Sequence, residues 1–268
     1  MAIALIVLGF IILLVLIMVL RTLQLREPVF QSGDVDLVKG DPQKAAQHLS
    51  EAIQIKTISK ETMQVSDYRP FLDYHQWLEK TYPLFHENLE KEVINEYSLL
   101  YRWKGSQSDL KPVLFANHMD VVPVDDATLP DWHADPFKGE IKQGFVWGRG
   151  AIDMKNHTIG LFDAVEGLLS QGFQPRCDIY FGLGHDEEIS GKDGAKGIAA
   201  HLKKKNIRLA AVLDEGGMVS SDLIPGVDVP VGLIGIGEKE YVTVNLSAKG
   251  VPGHSSNHPR QPAIGGLA

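Results

Sequence analysis

Four short apolar runs restrict this chain most, because each stops at an acid or a histidine: VLFANHMD, FVWGRGAID, DIYFGLGHDEE and LAAVLDE. Runs of this length, rich in aromatic and branched residues, read as buried strands. Helical spacing lies between and before them. QKAAQHLSEAIQIKTIS and YRPFLDYHQWLEKTYPLF each place their apolar residues on one face. MKNHTIGLFDAVEGLLSQGF continues as a long helix closed by Gly172, and GAKGIAAHLKKK is a shorter helix with a basic last turn. VINEYSLLYRWKG reads as one further strand ending in a glycine turn. Strands alternating with helices predict a layered α/β domain. EYVTVNLSAKG, just past Gly237, alternates more cleanly and predicts the opening of a second module.

The polar strand ends are His118 with Asp120, Asp153, Glu187 with Glu188, and Asp214. Each has a plain structural explanation: a satisfied histidine, a helix cap, a solvated acidic pair, a turn residue. All of them falling at strand ends is harder to explain that way, since sites in α/β sheets form beyond the carboxyl ends of strands. Carboxylates gathered there would repel one another unless a divalent cation joined them. One imidazole among several carboxylates suits zinc better than magnesium or calcium. Asp120 then orients His118 by accepting its second ring N–H. The single cysteine, Cys177, excludes an internal disulfide and any cysteine-based zinc site. The net charge of −8 argues against a nucleic-acid partner.

Residues 2–20, AIALIVLGFIILLVLIMVL, carry no charge. About 19 helical residues span roughly 29 Å, close to a bilayer core. No basic start or small-residue cleavage site marks a signal peptide. The segment therefore reads as a single transmembrane anchor over residues 1–22, followed by a polar tether over 23–44. Arg21 and Arg26 favour a cytoplasmic body, but two arginines leave the side of the membrane open.

HMDVVPV, PFKGEI, VWGRGAIDMK, GHDEEISG, VLDEGG and GVPGHSS occur in this order. Together they resemble the carboxypeptidase S branch of the dizinc metallopeptidases, which includes aminoacylases, glutamate carboxypeptidases and N-acyl amino acid hydrolases. The resemblance runs over residues 45–268. It implies a three-layer, mixed-sheet α/β catalytic domain, here residues 45–236, and the start of an inserted α+β lid or dimerisation domain from 237 to 268. It also implies two zinc ions. His118 and Asp214 would hold one, Asp153 would bridge both, Glu188 would hold the second, and Glu187 would be the general base. His254, on the lid, would help bind the developing oxyanion, often across a homodimer.

The implied reaction is hydrolysis of an amide bond next to a free carboxylate, in a peptide or an N-acyl amino acid. A reading from another class is a non-catalytic anchored binding protein on the same fold. Two departures from the family stand out. Met154 follows the bridging aspartate where an Asp or Asn is frequent, and the sequence stops at AIGGLA, ahead of the family's last zinc-binding histidine. The chain is therefore expected to be the front part of a longer protein, with a weak second zinc site and little activity alone.

Overall fold

A computed structural model describes residues 2–24, 40–217, 219–221, 224–235, 237 and 244–249. Helix α1, Ala2–Gln24, follows from its uninterrupted apolar run, and its described side chains are exposed throughout. Helix α2, Pro42–Gln54, starts where Asp41 accepts the main-chain N–H groups of Gln43 and Lys44, with Pro42 needing no such partner. The expected helix over 68–85 is two helices, α3 (Arg69–Thr81) and α4 (Pro83–Asn88). Pro83 forces the break, because it cannot donate into the preceding turn. The Glu166 carboxylate accepts the N–H groups of Leu84 and Phe85, which have no partner within the helix, at the start of α4.

The expected single strand over 93–105 is also divided. Strand β1 (Glu90–Ile94) turns back into β2 (Ser98–Trp103) through Asn95 and Glu96, both with positive φ. The chain continues through β3 (Val113–His118), a hairpin of β4 (Glu140–Lys142) and β5 (Phe145–Trp147), and α5 (Lys155–Ser170). Next come β6 (Ile179–Gly184), α6 (Ala195–Lys204) and β7 (Ala211–Leu213). The short pair β8 (Val219–Ser220) and β9 (Val231–Gly232) follows.

The main sheet has the order β1-β2-β6-β3-β7. β1, β2 and β6 pair antiparallel, whereas β6, β3 and β7 run parallel, so the sheet is mixed. Helices cover both faces. On one, Phe71, Phe85 and Phe162 from the helices, with Tyr82 between α3 and α4, meet Leu99, Tyr101 and Phe181 from the strands. Phe85 and Phe162 stack with ring centres 4.0 Å apart. On the other, Ile198 and Leu202 of α6 cover Leu100, Leu114 and Tyr180. β4 and β5 form a separate sheet, so Asp153 lies on a loop between that hairpin and α5, not at the end of a main-sheet strand as the sequence suggested. Of the expected strand over 240–250, only 244–249 are described, and they carry no strand. His254 and most of the expected lid lie outside the described residues.

Candidate metal centre

The parallel triplet β6-β3-β7 creates the site. Parallel neighbours end at one edge, and in the register His118 sits opposite Gly184. The chain beyond Gly184 tightens into a short 3-10 turn, Glu187–Ile189, which delivers Glu187 and Glu188 beside His118. Glu215 arrives from just beyond β7, and Asp153 from the loop before α5. The His118 Nε2 atom lies 3.0 Å from Asp153 Oδ1, 3.5 Å from Glu215 Oε2 and 3.9 Å from Glu187 Oε2. One ligand-capable atom from each of His118, Glu187 and Glu215 falls within 4.8 Å of the others, and the same holds for His118, Asp153 and Glu188.

Asp120 is fully buried behind this group. Its carboxylate accepts the Ser59 hydroxyl at 2.6 Å and the main-chain N–H groups of Glu187 and Glu188, each at 3.1 Å. His118 Nδ1 lies 3.0 Å from the Asp120 carbonyl and 3.3 Å from its carboxylate. With a proton on Nδ1 donated to Asp120, the Nε2 lone pair faces the acids. One buried carboxylate thereby fixes both the imidazole and the turn that carries the two glutamates.

The electrostatics call for a cation. Burial opposes charge on His118, yet the hydrogen bond and charge of Asp120, with Glu215 and Glu187, lift it to about 10. Burial raises Glu187, Glu188 and Glu215, and the neighbouring carboxylates raise them further while His118 opposes. Burial would also raise Asp120, but the hydrogen bonds from His118 and Ser59 bring it below its ordinary value. Acids that resist ionising together, around an imidazole that holds its proton strongly, fit a divalent ion in place of that proton. The donor set, one nitrogen with several carboxylate oxygens, suits zinc.

The family resemblance implies that Asp214 joins His118 on one ion. The structure turns Glu215 towards His118, while Asp214 accepts the Glu215 N–H and lines a cavity with Asn117, Gly184 and Val212. Asp214 stays near enough for its charge to help raise Glu187 and Glu215. A DE pair after an apolar run signals an acid at the site but not which one. No short sequence pattern marks Ser59 or Lys155. Both are buried and polar, and both are bonded to segments far away in sequence. Burial pushes the Lys155 ammonium down to about 7, with the charge of Asp120 opposing.

Residues 114–259 match the model of peptidase family M20/M25/M40. The chain belongs to this family. It is 42% identical to a probable carboxypeptidase S-like 2 of Dictyostelium discoideum over 227 residues, covering 83% of this chain and 43% of that relative. It is 40% identical to the N-fatty-acyl-amino acid synthase/hydrolase PM20D1 of Xenopus tropicalis, covering 87% and 45%. With carboxypeptidase S of Saccharomyces cerevisiae it shares 39%, covering 86% and 42%. The chain thus spans less than half the length of these curated relatives. A family M20 metallo-carboxypeptidase from Sulfolobus solfataricus, Sso-CP2, superposes with a TM-score of 0.51 at 20% identity, covering 65% of this chain and 38% of that one. That likeness supports the mixed α/β family fold.

Proposed function

We propose that the chain supplies the metal-binding strand ends of a zinc-dependent hydrolase that cleaves an amide bond next to a free carboxylate. The substrate is a peptide with a free C-terminal residue or an N-acyl amino acid. The observation that carries this reading is the convergence of Asp153, Glu187, Glu188 and Glu215 on the Nε2 edge of His118. His118, Asp153, Glu188 and Glu215 would hold two zinc ions, which when bound polarise the amide carbonyl and acidify a water. Glu187, raised by burial and neighbouring charge, takes that water's proton and passes it to the leaving amine. Asp120 keeps the imidazole and both glutamates in register. His254 on the lid, and a homodimer through it, remain part of this reading.

α1 is long and apolar enough to cross a membrane, and we assign it as a single-pass anchor. A non-catalytic scaffold is less favoured, because it has no use for a raised, half-exposed acid beside the ligand cluster. The test is made on the full-length protein, by zinc content and by turnover of a carboxyl-terminal dipeptide and an N-acyl amino acid. Glu187→Gln should lower turnover by about 10²–10⁴-fold while zinc content holds. A wild-type protein that binds no zinc, or a Glu187→Gln protein that turns over normally, overturns the reading.

A further inference from the structure

Lys155 opens α5, two residues after Asp153, and is 1% exposed. Its Nζ atom donates to the carbonyls of Ala52 and Ile55 at 2.8 and 2.7 Å, at the end of α2, and lies 5.0 Å from the centre of the Tyr74 ring. Its main-chain N–H donates to Gly150, closing the loop that bears Asp153. Gly150 has positive φ, and a Cβ there would stand 2.7 Å from a Val121 methyl, so the loop presses directly on the chain after Asp120.

The segment that receives Lys155 is also bonded to the other half of the site. Thr57 Oγ1 donates to the Met119 carbonyl at 2.6 Å. Val121 N–H donates to Thr57 and Ser59 N–H to Val121, a short parallel bridge. The Ser59 hydroxyl donates to Asp120. One strap, residues 52–59, therefore holds the loop of Asp153 at one end and the segment 118–121 at the other.

A buried lysine is an expensive way to fill core space, and an apolar side chain of similar volume is often as stable or more so. The two carbonyls do not depend on it, since Ala52 also accepts from Ile55 and Ile55 from Thr57. We propose that Lys155 is a positioning residue for the metal centre, fixing the Asp153 loop to the same strap that holds His118 and Asp120. Carboxylates that repel one another would otherwise spread the two loops. The proposal rests on the metal reading above and adds to it the device that sets ligand spacing.

The test uses full-length protein and zinc alone as the probe. Zinc affinity is read by chelator competition well below the unfolding temperature, and thermal unfolding is read without metal. Lys155→Met should unfold within a few degrees of wild type yet bind zinc ten- to a hundredfold more weakly, as loss of a group supporting a ligand does. Ser59→Ala should weaken zinc in the same direction from the other end of the strap. Phe162→Ala, a core change away from the strap, should lower the unfolding temperature and leave zinc affinity unchanged. Wild-type zinc affinity in Lys155→Met overturns the proposal, as does an equal loss in Phe162→Ala. Should Lys155→Met fail to fold, Thr57→Val and Ser59→Ala decide, and wild-type affinity in both overturns it. A wild-type protein that takes up no zinc defeats the metal reading itself, which separates the two failures.

Discussion

Replacing Asp120 with asparagine changes one atom's chemistry and tests the frame of the site. The two carboxylate oxygens divide their partners. Oδ1 accepts Glu187 N–H and lies near His118 Nδ1, while Oδ2 accepts Glu188 N–H and the Ser59 hydroxyl. An asparagine must put an NH₂ at one of these positions. The less costly choice is the Oδ2 side, where the Ser59 hydroxyl can rotate to accept. Glu188 N–H is then left facing a donor, at about 1–3 kcal/mol. The bonds that remain lose their ionic assistance, about 1 kcal/mol each. Relief from burying a charge offsets part of this. The net cost is about 2–4 kcal/mol, a fall in unfolding temperature of about 5–15 °C for a domain of this size. Thermal unfolding in excess chelator measures it without any metal contribution. Zinc affinity should also fall about 10–100-fold. Unfolding within a degree of wild type, with unchanged zinc affinity, would refute the claim that this carboxylate holds imidazole and turn together.

Glu215→Gln should remove more zinc affinity than Asp214→Asn, and elemental analysis after dialysis against dilute zinc would show the reverse order if the sequence assignment of Asp214 were right. The proton on His118 stabilises the metal-free fold fully below its unfolded value of 6.5, and that contribution is lost as pH rises through about 10. The stability gap between wild type and His118→Asn, read by urea unfolding without metal, should therefore narrow between pH 6.5 and 10. Deleting residues 1–24 should move the protein from floating vesicles to the soluble fraction, and unchanged flotation would count against α1 as the anchor.

The sequence made the layered fold readable where a strand or helix is long and regular. β3, β6, α5 and α6 lie where apolar runs and helical spacing put them. It failed where one residue decides. Pro83 divides a helical pattern whose periodicity continues across it, and Asn95 with Glu96 bends one apparent strand into a hairpin. The site was legible as a set of acids at strand ends, because chemistry is local. Which acid of a pair turns inward was not, because that depends on strand twist and register. The supports were hidden for a different reason. Ser59 is separated from Asp120 by 61 positions and Lys155 from Ala52 by 103, and neither contact leaves a short-range pattern.

β7 closes the sheet with β3 as its only partner among the described residues, and its three residues are all exposed. Glu215 hangs from the end of that strand. Any segment that zips along the bare side would stiffen the corner bearing Glu215, while stray copies of the chain could zip there instead and clump. Shielding this border would therefore also steady the acid that stands 3.5 Å from the imidazole.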